Sequence, residues 1–383
     1  MKYMKVKDLF KIIKGKKVEQ VYETNENTVR LIQIDDLRND DNIKYCERKE
    51  EYIFANKNDV IIAWDGANAG TIGYGLEGAI GSTLAILRTD SNNSNNIFIP
   101  YIGRFLQSKS KYLRDTCTGA TIPHISKKAL EEIKIPIPSY EKQIEISKIL
   151  DKAQELIDKR KAQIESLEQL VQSLFWEMFG TYLTSNRNKM FFGELVKEFR
   201  YGTSVKSGEF GYPILRIPNI VNGIIDESDL KYCELPEKDF LKLKLQENDL
   251  LFVRTNGNPN YVGRCASVTK KQEGYVYASY LIRARIDLDK LNTEYVTKYM
   301  NSVFGRHEII QKATTSAGQY NINTEGLGNI LIPVPPLNLQ EDFARKIKLI
   351  DAKKAILQRG LLELENMFNS LMQRAFKGEL FND

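Results

Sequence analysis

The chain has 383 residues, room for two or three domains, with 42% hydrophobic content and a formal net charge of +5. Its 55 basic residues are nearly matched by 50 acidic ones, so any nucleic-acid contact must come from local basic surfaces and not from bulk charge. No run of about 18 apolar residues could span a membrane, and the opening MKYMKVKDLF lacks the apolar stretch of a secretory signal, which predicts a cytoplasmic protein without a membrane partner.

In chain order, residues 1–138 are predicted as a mixed α/β domain. Its candidate contact groups sit in polar loops: Lys16 and Lys17 after Gly15, Arg30 with Gln33, Trp64 and Asn68 on either side of Asp65, and Thr121, His124 and Lys127 within TIPHISK. Some have competing structural roles: Trp64 in packing, Asp65 as a loop cap, His124 as a structural hydrogen bonder. Asn58 to Ile62 reads as a turn and a buried strand, followed by a glycine-rich loop from Gly66 to Gly75. Ala79 to Arg88 (AIGSTLAILR) then looks like one more strand and not a phosphate-capping helix, which argues against nucleotide binding.

Residues 139–181 are predicted as a central spacer helix, from about Tyr140 to Gly180. Ile146, Leu150, Ala153, Ile157, Arg160, Ile164, Leu167, Val171, Leu174 and Met178 follow 4–3 spacing, the seam of a coiled coil. Residues 182–337 form a second mixed α/β domain. Its candidate contacts are Tyr201, Thr203, Ser204 and Lys206, Arg216 with Asn219, Arg254, Thr255 and Asn256, Arg264, and Gln319, Tyr320 and Asn321.

Residues 338–383 hold a distal spacer helix, from about Leu339 to Lys377, and the tail GELFND. Phe343, Ile347, Ile350, Lys354, Leu357, Leu361, Leu364, Phe368, Leu371 and Ala375 repeat the 4–3 seam. Each seam has one basic residue, Arg160 or Lys354, whose stem can pack while its charge reaches water. Pro138 and Pro336 end strand geometry just before each helix. Gly180 and Gly378 are placed to end the helices in the left-handed conformation.

The chain is written twice. Ile133–Gln143 reads IKIPIPSYEKQ and Ile330–Gln340 reads ILIPVPPLNLQ, an offset of 197 (330 − 133). Asn58 to Ile62 likewise matches Asn248 to Phe252, and Ile72-Gly73 matches Val262-Gly263, at an offset of 190 (248 − 58). Elsewhere the halves diverge, as two related recognition modules with different loops would. The predicted class is α+β: two mixed α/β domains separated by two long antiparallel helices in a coiled coil, with a pseudo-two-fold repeat. A helix of about 39 residues spans roughly 58 Å, between one and two duplex turns of about 34–36 Å.

Enzymatic signatures are absent: no GxxxxGK[ST], HExxH or GxSxG occurs. Cys46, Cys117, Cys233 and Cys265 form no CxxC pair, which disfavours zinc and suggests reduced thiols. Only two histidines, His124 and His307, are available for acid–base or metal chemistry. Asn258-Pro259-Asn260-Tyr261 resembles the Asn-Pro-Pro-Tyr loop of amino-methyltransferases, but no glycine-rich cofactor strand precedes it, and it reads as a turn. No catalytic, metal or cofactor site is expected in this chain. What remains is a set of amide, guanidinium and aromatic groups suited to base edges and phosphates.

Several stretches carry a family resemblance: DVIIAWDGANAGTIGYG (59–75), HISKKALEEIKIPIP (124–138), YPILRIPNI (212–220), DLLFVRTNGNPNYVGR (249–264), SAGQYNIN (316–323) and RAFKGEL (374–380). Together they resemble the specificity subunit of a Type I restriction–modification system, over nearly the whole chain. The resemblance implies two target-recognition domains, each reading half of a split, asymmetric site in double-stranded DNA. It implies antiparallel helices that act as a ruler and dock two modification (methyltransferase) subunits. Those partners would carry S-adenosylmethionine and adenine-N6 methylation, and restriction/translocase subunits would use ATP and Mg. The alternatives are the specificity subunit of a related Type II system and a protein-only coiled-coil adaptor, which the polar strand-exit loops disfavour.

Overall fold

The computed structural model describes residues 2–89, 96–119, 121–185, 188–221, 223–316 and 318–380, so the last three residues of the tail and Ala317 of the SAGQYNIN stretch lie outside them. The chain divides into two compact units, Met1–Ala162 with Gln358–Asp383, and Gln163–Leu357. Each unit therefore takes part of both long helices, where a linear division sets the helices apart. The helices run Tyr140–Thr184 and Leu337–Lys377. Gly180 thus lies inside the first helix, which continues for another turn and gives no left-handed cap there. Gly378 does take the left-handed conformation, at φ 81°.

In the first unit, Val60–Ala63 is a central strand of an antiparallel sheet ordered Phe10–Lys14, Leu84–Thr89, Val60–Ala63, Ile72–Tyr74. Four successive apolar residues fit because both faces are covered. Val60 and Ile62 pack with Tyr101, Ile102 and Phe105 of the helix Ile99–Ser108, while Ile61 and Ala63 pack with Ile32 and Ile80. The second sheet is ordered Lys44–Glu47, Thr28–Ile32, Gly78–Ile80, Phe54–Ala55, its middle pair parallel. The expected strand over 79–88 is therefore two strands, one in each sheet, broken at Gly81-Ser82-Thr83. The break lets the chain cross from one layer to the other.

The second unit repeats this plan. Its main sheet is ordered Val196–Tyr201, Leu281–Ile286, Leu250–Val253, Cys265–Ser267. Its second sheet is ordered Lys231–Cys233, Tyr212–Leu215, Val276–Tyr277, again with one parallel pair. The repeat reaches into buried polar contacts. Asp59 accepts the Asn56 N–H (2.9 Å) and is held by Arg88 (2.7 Å); Asp249 accepts the Gln246 N–H (2.8 Å) and is held by Arg285 (2.8 Å). Tyr101 donates its hydroxyl to the Pro136 carbonyl and Tyr295 donates to Pro333, both at 2.9 Å.

The last residue of each written repeat is a fully buried glutamine. Gln143 accepts the Phe98 N–H (2.9 Å) and donates to the carbonyls of Asn96 (2.9 Å) and Pro138 (3.0 Å). Gln340 accepts the Asn292 N–H (2.8 Å) and donates to Lys290 (3.0 Å) and Pro335 (2.8 Å). One side chain thus satisfies three backbone groups and ties the first turn of each long helix to its unit.

Every predicted seam position is buried or half-buried. In the first unit Ile146 and Leu150 share a core with Phe368, Leu371 and Ala375, and Lys161 pairs with Glu365 at 3.1 Å. In the second, Val171 and Phe175 share a core with Phe343 and Ile347, and Lys354 bonds Glu168. Rising numbers on one helix meet falling numbers on the other, so the pairing within each unit is antiparallel. Arg160 passes over Gly360, where a Cβ would stand 2.4 Å from its Nη1; a helix-interior glycine leaves room for the one basic seam residue of this unit. Phe175, Phe179 and Leu183 lie outside the 4–3 pattern because they join the domain core: Phe175 and Phe179 pack on Tyr295 of the domain as well as on Phe343 of the partner helix. All four cysteines are free, and burial pushes their thiols up.

Gln340→Ala would strand the Asn292 N–H and two carbonyls in the interior. A loss of roughly 1–3 kcal/mol for each group that finds no new partner is expected, read as a lower urea midpoint; an unchanged midpoint would refute the clamp.

Candidate nucleic-acid interface

In both units the central strand of the main sheet runs out into a polar loop, and a distant second loop closes over it. In the first unit the Trp64 N–H donates to the Thr83 carbonyl (2.7 Å), and the Trp64 carbonyl accepts the Ile125 N–H (2.9 Å). Asp65 then forms a β-bridge with His124, and the Gly66 N–H donates to Pro123 (2.9 Å). In the second unit the Arg254 N–H donates to Tyr280 (2.8 Å), and its carbonyl accepts the Ile322 N–H (2.9 Å). Thr255 and Asn256 pair antiparallel with Asn321 and Tyr320. Positions 64 and 65 match 254 and 255, and 124 and 125 match 321 and 322, at the two offsets of the sequence repeat. Each lip ends in a helix cap: Ser126 accepts the Ala129 N–H, and Asn323 accepts the Gly326 N–H.

The two lips share a backbone and differ in chemistry. Lys14 ends the first strand of its sheet and lies 4.8 Å over the Trp64 ring. Tyr201 ends the matching strand, and Arg254 lies 5.0 Å over its ring. The cation and the aromatic have exchanged places between equivalent positions. Trp64 is consequently buried at 4% exposure in the first core, a correction to its expected role as a base contact, whereas Arg254 is exposed. Among the described residues no carboxylate pairs with Arg254.

Around Arg254 the second lip gathers most of its expected groups. The Thr255 hydroxyl donates to the Gln319 side-chain carbonyl (3.0 Å), and the Asn321 amide donates to the Gln319 backbone (3.2 Å). The Tyr201 hydroxyl accepts the Thr324 N–H (3.2 Å). Tyr320 is half-buried against the core, and Asn256 accepts the Asn258 N–H (2.9 Å), starting the turn that Asn258–Tyr261 was expected to form. Thr203 bridges Ala278, with Ser204 and Lys206 exposed beside it. In the first lip Thr121 is exposed, and His124 Nδ1 lies 2.6 Å from Asp65 Oδ1. Lys16 and Lys17 are exposed after Gly15. Lys127 is exposed near Glu131 (3.6 Å), and Asn68 accepts from Arg38 (2.6 Å).

Other residues expected as contacts have partners within the fold. Arg30 is held between Asp36 (2.7 Å) and Asp40 (2.5 Å), and Gln33 accepts from Lys44 (2.6 Å). Arg216 pairs with Asp229 (2.8 Å). Asn219 is buried because it caps a turn: it accepts the Arg216 N–H (2.8 Å), as Asp36 accepts the Gln33 N–H (2.8 Å). Both turns follow a strand of the second sheet, and nearby aspartates occupy the arginines. Arg264 lies 3.7 Å over Tyr261 and lines a cleft with Glu168, Gln172 and Lys354 of the long helices. Beside it Arg306 donates to Pro259 (2.7 Å) and Val262 (2.5 Å); burial, then the charge of Arg264, lowers it to about 10. Sequence reasoning misses Lys14, which carries no motif, and the pairing of Asp65 with His124, because Asp65 reads as a loop cap and the two residues meet only in the fold. Among the described residues no cluster could hold a metal, and no helix is long and apolar enough to cross a membrane.

Two like scaffolds carrying unlike polar lips are the pattern of a protein with two related but non-identical recognition modules. The family profile described as Type I restriction modification DNA specificity domain matches residues 1–169 and 192–366, one copy for each scaffold, and the chain belongs to this family. It is 28% identical over 351 residues to the Type I restriction enzyme EcoKI specificity subunit of Escherichia coli strain K12, covering 84% of this chain and 75% of that protein. It is 27% identical over 401 residues to the MjaVIII specificity subunit of Methanocaldococcus jannaschii, covering 98% and 92%. The fold is similar to the S subunit of a Type I restriction–modification system from M. genitalium, with a TM-score of 0.56 at 16% identity over 98% of this chain and 96% of that one.

Arg254→Ala is expected to relax preference at one position of the half-site read by the second unit, by about 1–3 kcal/mol. Selection from a random duplex pool measures this. A uniform loss across all sequences would reduce Arg254 to a phosphate contact.

Proposed function

We propose that this chain chooses the DNA site for a Type I restriction–modification complex, reading one half of a bipartite, asymmetric sequence with each lip. The observation that supports this most is the pairing of a shared lip backbone with different side chains in the two units. Base edges would be read by groups such as Arg254, Gln319 and Asn321 in one unit and His124 in the other, with Lys16, Lys17 and Lys206 on phosphates. Recognition without catalysis is the role assigned to this chain. Methylation with S-adenosylmethionine would belong to two modification subunits, and ATP- and Mg-dependent steps to restriction/translocase subunits. Exposed apolar residues outside the seam support docking of partners on the helices: Ile149 and Leu156 on the first, Leu349 and Ile356 on the second.

An electrophoretic assay with the modification subunits tests this. A sequence-selective shift on one bipartite duplex is expected, and no selective shift on any duplex would sink the reading. The logarithm of the affinity should fall linearly with the logarithm of salt concentration. Removing Lys16 and Lys17 together should reduce that slope by about one for each phosphate no longer neutralised, with the selected sequence unchanged.

A further inference from the structure

His124 occupies the first lip at the register position that Asn321 holds in the second. Its loop is fixed on both sides. His124 and Thr118 exchange backbone hydrogen bonds (2.7 and 2.9 Å), Pro123 accepts the Gly66 N–H (2.9 Å), and the next residue, Ile125, is buried. The ring itself is half exposed, with Nδ1 2.6 Å from the carboxylate of Asp65. A carboxylate has no proton to give, so this contact requires the imidazole proton on Nδ1. Among the described residues nothing hydrogen-bonds to Nε2. The adjoining ring edge is left bare by Gly119: a Cβ there would stand 3.1 Å from Cδ2, the carbon next to Nε2. Gly119 has φ 97°, which favours glycine.

We propose that Asp65 holds His124 in the Nδ1-protonated tautomer, so that Nε2 accepts a hydrogen bond from an exocyclic amino group of the bound DNA, adenine N6 or cytosine N4. In the major groove only those two bases present a donor. Asp65 is a positioning residue, and His124 touches the base. The inference rests on the proposed DNA-reading role, and it assigns one base-pair preference to one side chain.

The test has two parts. The chain contains two histidines, so imidazole-labelled protein gives two ring systems in a long-range 1H–15N spectrum, and His307→Gln identifies His124. The proton is expected on Nδ1; a spectrum with the proton on Nε2 would overturn the proposal and leave the DNA-reading function standing. The second part is selection from a random duplex pool, using the full chain with its modification subunits. One position of the first unit's half-site should prefer adenine or cytosine. His124→Ala should reduce discrimination there by roughly tenfold. Asp65→Ala should reduce it at the same position, and the double variant should lose no more than His124→Ala alone. Additive losses, or losses spread over the half-site, would show that Asp65 acts on the loop and not on the tautomer, and would defeat the proposal. Absence of any selected sequence with the unaltered protein would defeat the DNA-reading role as well.

Discussion

A buried amide with no water to turn to must find protein partners for its oxygen and its two protons. Gln143 and Gln340 find theirs in three backbone groups apiece, drawn from the chain before the domain's helix and from the proline turn before the long helix. Each joins these segments through one fully enclosed side chain. The direction in which each long helix leaves its unit depends on that contact, and with it the register in which the seam residues meet. The tyrosine hydroxyls on Pro136 and Pro333 reinforce the same corner. The doubled IPxP sentence is thus the record of a joint made twice.

Parts of this architecture follow from short-range rules and are legible in the sequence. The 4–3 spacing locates both seams because a helix presents one face every three and a half residues, and the seam burial follows it without exception. The repeated strand at Asn58 and Asn248 is visible because a strand covered on both faces must be apolar throughout. What escapes depends on contacts distant in sequence. Gly180 looks like a stop, but Phe179 and Leu183 find a core beyond it that keeps the helix going. Arg30, Arg216 and Asn219 look like free polar groups, yet aspartates or turn N–H groups that only the fold brings near engage them. The exchange of cation and ring between Lys14–Trp64 and Tyr201–Arg254 is invisible to alignment, because what repeats is an interaction and not a residue.

The same contrast separates scaffold from specificity. Paired strands, glutamine joints and carboxylate-held arginines recur in both units with nearly the same distances. The lips recur as backbone only. A frame of this kind tolerates different side chains at its rim, because those side chains are held by strand pairing beneath them and contribute little to the core. Family membership fits such a division, in which the fold supplies position and the loop ends supply discrimination.

Each lip is also a meeting of two strangers. Asp65 and His124 are 59 residues apart, and Thr255 and Gln319 are 64 apart. Neither strand alone carries the surface, and neither would hold its shape as a free peptide. Grafting one loop between relatives would therefore transplant half a lip onto a mismatched other half. The smallest portable element of recognition is a whole folded module, cut where the glutamine joint meets the long helix.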